Sequence, residues 1–406
     1  MDDEGFDNLQ KRGGPFEHPC AALRKLLGDG SFYYSTDFDL TSRLQERSVD
    51  ASTFDYDNFD KGYLWNSYMI QPLVDFRSRL SPQKRTILDT SRILTSAIRG
   101  FAATLPICTH GTATTHADRA TQAATLTLIS RLSCRRAGTR FNARGIDDDG
   151  NVANFVETET ILWSPSDFCY SSVQIRGSIP LFWEQSAGLL PGQQKISMSR
   201  SFQATQPAFD RHFEDLEIKY GSIYVVNLLS KEKQGELDLS REYQRHVMAC
   251  SLNKRQGGGA SSEHVQLKHF NYDFHAETRT GGYEAASGIR QYIHEAGQGF
   301  GFCLLGPIDE HASSVDAADA EKQLHRTIMV TQQQGVFRTN CLDCLDRTNL
   351  VQTIIGHMTL DAYLDQRGER MTADMLTRHG TLWADNGDVS LLRIVIARPR
   401  LTIGYG

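Results

Sequence analysis

No uninterrupted apolar run in this chain approaches the roughly 20 residues that cross a bilayer, so no segment reads as a transmembrane helix. The opening MDDEGFDNLQKRGG has neither the basic start nor the apolar core of a secretory signal. Positive charge is not in surplus: the formal net charge is -6. That excludes nucleic acid or an anionic membrane as partner of the whole surface and leaves any anionic ligand to local basic clusters. Clustered cysteine is lacking as well. Of the eight cysteines only Cys341 and Cys344 are close in sequence, a scatter that fits free thiols in a reducing compartment better than a disulfide framework. There is no internal repeat. The expectation is a cytoplasmic chain.

What remains is an ordinary globular composition, 40% hydrophobic and 23% charged over 406 residues, with room for two or three domains. Pro19 opens a short helical pattern, CAALRKLL, and SFYYS reads as a strand. Helical spacing follows in LWNSYMIQPLVDF and ILDTSRILTSAI; Cys108–Ala124 is weakly patterned and reads as a loop. TLTLIS, TRFNARGI and VANFVETET read as strands, with a hairpin turn at Asp149-Gly150. Phe209, Phe213 and Leu216 mark a helix ended by Gly221; SIYVVNLL is a buried strand; Ser240 is placed as the cap of a helix through Tyr243, Val247 and Leu252. A Gly/Ser-rich loop (252–264) precedes another helix at Ile289–Ala296. Alternating helices and apolar strands predict an α/β core.

The chemistry concentrates in GVFRTNCLDCLDRTNLVQTIIGHM, Gly335 to Met358. Val336 and Phe337 finish a strand-like segment, and Leu350, Val351, Ile354, Ile355 and Met358 share a helical face. Between them lie Cys341, five residues, Arg347 and Thr348. That spacing lets backbone N–H groups curl around phosphate oxygens, with the following helix aiming its positive end into the same cup. Comparable sites lower a cysteine pKa from about 8.5 to roughly 3.5–7.5, making Cys341 a nucleophile. Arg347 would clamp two phosphate oxygens with its planar fork, and Thr348 would donate a hydrogen bond to the sulfur. Asp343 and Asp346 are both candidates for the general acid. Cys341-x-x-Cys344 also matches a redox pair or half a zinc site, but no second ligand pair stands nearby, and no metal or cofactor is expected.

FYYSTDFDLT, YLWNSYMIQPL, RRAGTRFNARGIDDDGNVANFVETE, QIRGSIPLFWEQ, YDFHAET, RTNCLDCLDRTN and LWADNGD, in that order over roughly 17–388, resemble segments of the Sac-domain phosphoinositide phosphatases, including synaptojanin-like Sac domains. The resemblance implies an α/β fold: a Sac-type N-terminal subdomain packed on an α/β catalytic subdomain with a cysteine-phosphatase P-loop. It implies metal-independent hydrolysis of phosphatidylinositol phosphates, the 4-phosphate first, with the 3-phosphate and 3,5-bisphosphate as further substrates. It carries catalytic roles onto Cys341, Arg347, Thr348 and Asp343. The partner implied is a phosphoinositide lipid in a cytosolic leaflet, met by a peripheral protein. The expected divisions are a disordered 1–16, a partial N-terminal subdomain at 17–125, a catalytic subdomain at 126–388 and a divergent tail at 389–406.

Arg131, Arg135, Arg136, Arg140 and Arg144 form a window without acidic residues, which faces either the inositol phosphates, an anionic leaflet or solvent. Arg338, Asn340 and Cys344 in or beside the loop, with Arg176, Arg135 and Arg140, are the expected substrate contacts. His275, between aromatics, is read as a packed structural residue, and Asp385 and Asn386 as part of a loop. The chain begins late relative to the family pattern and ends VSLLRIVIARPRLTIGYG where the family continues into a segment like YAGTGA. The rival expectation is therefore a catalytically inactive phosphoinositide-binding module; a phosphotyrosine phosphatase is a third.

Overall fold

A computed structural model describes residues 21–28, 30–36, 38–47, 56–110, 121–136, 144–164, 168–187, 194–254, 267–307, 327–342 and 346–396. Its strands are β1 Phe32–Tyr34, β2 Ala97–His110, β3 Thr121–Leu132, β4 Val156–Trp163, β5 Cys169–Ser178, β6 Trp183–Ala187, β7 Gln194–Met198, β8 Ser222–Asn227, β9 Leu267–Asn271, β10 Cys303–Pro307, β11 Thr327–Thr331 and β12 Gly335–Cys341. Its helices are α1 Ala21–Leu27, α2 Ser67–Ser78, α3 Pro82–Thr90, α4 Phe202–Tyr220, α5 Gln234–Ala249, α6 Ser251–Lys254, α7 Phe274–Gly281, α8 Arg290–Phe300, α9 Asp346–Gln366 and α10 Ala373–Ile396.

One mixed sheet organises the molecule, in the order β1-β2-β3-β4-β5-β12-β8-β9. β1 to β5 pair antiparallel, whereas β5, β12, β8 and β9 run parallel. The parallel strands carry helices on both faces; β8 and the start of β12 are apolar on both, whereas β5 is apolar toward α4 and polar toward α9. Val173, Ile175, Ile223, Val225 and Val336 pack against Phe209 and Phe213 of α4 and Tyr243 and Val247 of α5. On the opposite face Val226 and Phe337 meet Ile293 of α8 and Val351, Ile354 and Ile355 of α9. The C-terminal half of α9 and α10 cover β2 to β5 through Leu360, Tyr363, Leu382 and Trp383. Gly221 ends α4 at φ +80, and a Cβ there would lie 2.4 Å from the Gln334 carbonyl, a position only glycine fills without strain.

The mixed α/β architecture is as expected, but several local expectations are corrected. The weakly patterned Cys108–Ala124 contributes the ends of β2 and β3, which pair out to His110↔Thr121; backbone pairing in a long hairpin outweighs a Thr-rich pattern. ILDTSRILTSAI is helical only through Thr90. Ser240 lies inside α5, which starts at Gln234; its hydroxyl meets Asn227 Nδ2 at 2.6 Å instead. The hairpin turn at Asp147–Gly150 forms, closed by the Ile146↔Val152 bridge and by Gly150 at φ +84. The boundary expected at residue 125 falls within β3, so hydrogen bonding runs through it, and the one expected at 388 falls within α10. The expected disorder of 1–16 and most of the expected strand TRFNARGI and loop 252–264 lie outside the described residues. Among the described residues no helix is long and apolar enough to cross a membrane.

Candidate active site

β12 ends at Cys341, paired to Ser178, the last residue of β5. α9 begins at Asp346, so Cys341 and Arg347 stand on either side of a strand-to-helix connection. That connection lies at the carboxyl edge of the parallel strands, where open α/β sheets bind ligands. A helix running from Asp346 to Gln366 directs its unpaired N–H groups and positive end toward it. Asp343 and Cys344 lie outside the described residues, as does Arg140.

Arg347 sits in the first turn of α9, and its Nη1 donates to His275 Nε2 at 3.2 Å. The buried Glu236 carboxylate lies 4.0 Å from the same nitrogen. Glu236 is itself held: Oε2 accepts from the Ser230 N–H at 2.8 Å, and Lys233 Nζ lies 3.3 Å from Oε1. His275 projects from the first turn of α7. That turn is capped by Asp273, whose Oδ1 accepts from the Ala276 N–H and whose Oδ2 accepts from the Lys231 N–H. The loops after β8 and β9 are thus tied together at the edge where Arg347 emerges. Partial burial and the neighbouring guanidinium both hold the His275 pKa below the ordinary imidazole value.

His275 is therefore not the packed residue expected. The Asp273 cap turns Phe274 into the core and leaves His275 outward, against Arg347. Glu236 was missed altogether; the only signal was an acidic residue in the first turn of α5, which is common. Asn386 also finds a place. It lies in α10, and its Nδ2 donates to Asn349 Oδ1 at 3.1 Å, while Asn349 Nδ2 donates to the Trp383 carbonyl at 2.7 Å. Asn349 is in the first turn of α9, so α10 braces the turn that carries Arg347. The expected loop is helical, within α10, and Gly387 leaves room for Asn349: a Cβ there would lie 2.9 Å from Asn349 Nδ2.

Thr348 is fully buried, and its Oγ1 has no hydrogen-bond partner among the described residues. An orphaned buried hydroxyl is costly unless a group outside the described residues completes it. Ser172 and Gln174 of β5 face α9, meeting Thr359 Oγ1 at 3.3 Å and the Gln352 carbonyl at 2.8 Å. Arg176, buried, continues the row by strand alternation toward the first turn of α9.

The other basic candidates are placed elsewhere. Arg338 is wholly buried on the α4 side of β12: Nη2 donates to the Ser178 carbonyl at 3.0 Å and Nε to His212 Nε2 at 3.3 Å. Asn340 is buried on the same side, beside Tyr243. Arg131 is neither solvated nor ligand-facing. Its guanidinium is enclosed by Glu157 Oε1 at 3.0 Å, Glu159 Oε2 at 2.6 Å and the Leu40 and Ser42 carbonyls. Arg144 is buried over the Trp183 ring, and Arg136 donates to the Arg144 carbonyl. Arg135 is exposed, just past the end of β3. Five described cysteines, at 108, 134, 169, 250 and 303, are free thiols. Burial pushes Cys169, Cys250 and Cys303 up to about 12, which keeps them unreactive.

Residues 4–279 match the SacI homology domain family. The chain is 41% identical over 381 residues to the polyphosphatidylinositol phosphatase INP53 of Saccharomyces cerevisiae, covering 92% of this chain and 31% of that protein. It is 40% identical over 394 residues to the inositol-1,4,5-trisphosphate 5-phosphatase 1 of Schizosaccharomyces pombe, covering 97% and 32%. Synaptojanin-1 of Mus musculus is 42% identical over 267 residues, 64% of this chain and 15% of its own. The chain thus spans about a third of the length of the two yeast relatives.

Proposed function

The chain belongs to the SacI homology domain family, and from that premise we propose that it is a phosphoinositide phosphatase working through a cysteinyl-phosphate intermediate. The observation that carries the reading is the position of Arg347: one helical turn of α9 presents it beyond the strand end that bears Cys341, held by His275 and Glu236. The relatives' names support the substrate class.

In the proposed reaction the Cys341 thiolate attacks phosphorus, the P–O bond to inositol breaks, and a carboxylic acid, Asp343 or Asp346, protonates the leaving oxygen. Water then attacks the cysteinyl phosphate, giving its proton to the same carboxylate as the P–S bond breaks. Arg347 spans two equatorial oxygens throughout and stabilises their developing charge. The buried Thr348 hydroxyl, without a partner among the described residues, supports its assignment as donor to the departing sulfur. Arg176 is the buried cation best placed to add charge at the helix start. The substrates are phosphatidylinositol 4-phosphate and, beyond it, the 3-phosphate or 3,5-bisphosphate, met in a cytosolic leaflet.

The test is phosphate release in EDTA from soluble short-chain phosphoinositides, with wild type beside Cys341→Ser. Turnover that disappears in the variant supports the reading. Turnover surviving in Cys341→Ser removes the covalent mechanism, and headgroup binding without turnover by the wild type replaces it with a binding module.

A further inference from the structure

α2 presents an apolar face to solvent. Tyr68 is 92% exposed, Met69 61%, Phe76 53% and Leu73 36%. At 100° per residue these four and the exposed Pro72 fall on one continuous face. The opposite side of the helix buries Ile70 and Arg77, with Val74 half-buried. Ile87 of α3 and Ile93 just beyond it are exposed as well, at 68% and 59%. Isolated exposed apolar residues are ordinary; a face of this continuity marks an interaction surface.

Its position is set by the sheet register. Cys341 pairs with Ser178 at the carboxyl edge of β12. Following the ladder outward, Thr339 aligns with Arg176, Arg176 with Val156, and Val156 with Leu132. Gly100 aligns with Arg131, so β2 starts at this same edge, with Ala97. α2 is fastened there: Trp65 Nε1 donates to the Leu132 carbonyl at 2.7 Å, and Asn66 Oδ1 accepts from the Ala97 N–H at 2.9 Å. The start of the exposed helix and the end of the nucleophile strand therefore occupy one rim of one sheet. Four strand spacings separate them, roughly 20 Å.

Charge identifies the occupant. Residues 67–99 contain six basic side chains (Arg77, Arg79, Lys84, Arg85, Arg92, Arg99) and two acidic ones (Asp75, Asp89), a local +4 in a chain of net charge -6. Arg77 is buried between Asp89, at 2.7 Å, and Asp57, at 3.3 Å, while Arg79 and Lys84 are exposed on the surface of the hairpin. A two-fold contact with a second copy would set these cationic patches against each other. An anionic bilayer answers both features: apolar and aromatic side chains settle at the headgroup boundary while the basic rim meets anionic lipid.

We propose that the α2–α3 hairpin is a membrane-docking face, which inserts Tyr68, Met69, Leu73 and Phe76 into the interface of an anionic bilayer and brings the Cys341 edge of the sheet to that surface. The inference deepens the phosphatase reading in one respect, that the substrate is a membrane lipid; the docking itself is measurable without turnover.

The experiment is co-sedimentation of the chain with phosphatidylcholine vesicles, with and without phosphatidylserine and free of phosphoinositide, for wild type, Met69→Glu/Phe76→Glu and Arg79→Glu/Lys84→Glu. Thermal midpoints verify that the variants are folded; the second pair alters only exposed rim charges. The expected result is binding that requires phosphatidylserine and falls about tenfold or more in both pairs. Hydrolysis of soluble short-chain lipid should be unchanged in the variants and hydrolysis of vesicle-borne lipid reduced. Vesicle binding unaltered in both pairs overturns the proposal, as does a wild-type dimer that Met69→Glu/Phe76→Glu converts to monomer. If neither the wild type nor the variants turn over soluble lipid, the phosphatase reading fails, while the sedimentation result still decides the docking face.

Discussion

His275 Nε2 lies 3.2 Å from Arg347 Nη1. A guanidinium only donates, so the imidazole is the acceptor, neutral, with its proton on Nδ1. Arg347 is thereby aimed by a residue on a separate helix. Removing the acceptor in His275→Ala should cost about tenfold in kcat/KM, ~1.4 kcal/mol, the lower range for a charge-assisted bond at a partly exposed site. His275→Gln keeps an amide oxygen and should recover much of that loss. Equal loss in both variants would show that the ring serves only as packing.

Two arginines near the loop should respond differently to lysine. Arg347→Lys removes the planar fork and should lower kcat by about a hundredfold or more, with the thermal midpoint nearly unchanged. Arg338 spends its guanidinium on the Ser178 carbonyl and His212. Arg338→Lys should therefore destabilise by about 1–3 kcal/mol, while the kcat of the protein that remains folded stays near wild type. Parallel urea melts and kinetics separate the two effects; a catalytic loss in Arg338→Lys without destabilisation would move it into the phosphate site.

The Arg131 cluster should be among the least tolerant places in the molecule. Burial acts to raise the Glu157 pKa, but Lys219, Arg131 and Arg43 together pull it down to about 2. Truncation in Arg131→Met leaves Glu157 and Glu159 enclosed without the guanidinium that bridges them. The expected cost is about 3–5 kcal/mol, read as a lower urea midpoint or as failure to accumulate soluble protein. A midpoint within experimental error of wild type would mean that water or Arg47 and Lys219 redistribute to fill the gap.

The contrast between these arginines shows what the sequence could convey. The strand that ends at Cys341 and the helix that begins at Asp346 were legible because each signal is local: an apolar run and a helical period. Arg131 was not, because its partners Glu157 and Glu159 reach it only through the pairing of β3 with β4. The contacts of Glu236 and His275 were hidden for the same reason, since they converge on Arg347 from the first turns of α5 and α7, which follow two different strands. Asn386 failed in the opposite sense: Asn-Gly-Asp is turn chemistry by itself, and contact with Asn349 holds it in a helix.

A last prediction concerns acid stability. His357 and His379 pack ring to ring between α9 and α10, 4.2 Å between centroids. His379 Nε2 accepts from the Trp383 indole N–H at 3.1 Å, which places its proton on Nδ1. Burial lowers the His357 pKa from 6.5 to about 4, with the charge of Arg290 assisting, and holds His379 well below its ordinary value. Above pH 6.5 neither the folded nor the unfolded chain protonates these rings, and they contribute nothing to the slope. As pH falls from 6.5 toward 4 the unfolded chain takes up protons that the folded chain refuses, so stability declines. For half-buried His357 the loss is about 2 kcal/mol after allowing for solvent screening. Glu157 and Glu159 act in a lower window, below 4.5, because their folded values are depressed. Melts between pH 7.5 and 5 therefore separate the histidines from these two glutamates. Burial also depresses His212, His246, His269 and His275, so the total decline exceeds the share of this pair. His357→Gln should flatten the slope by one proton's contribution. An unchanged slope in that variant would place the acid sensitivity at the other depressed histidines instead.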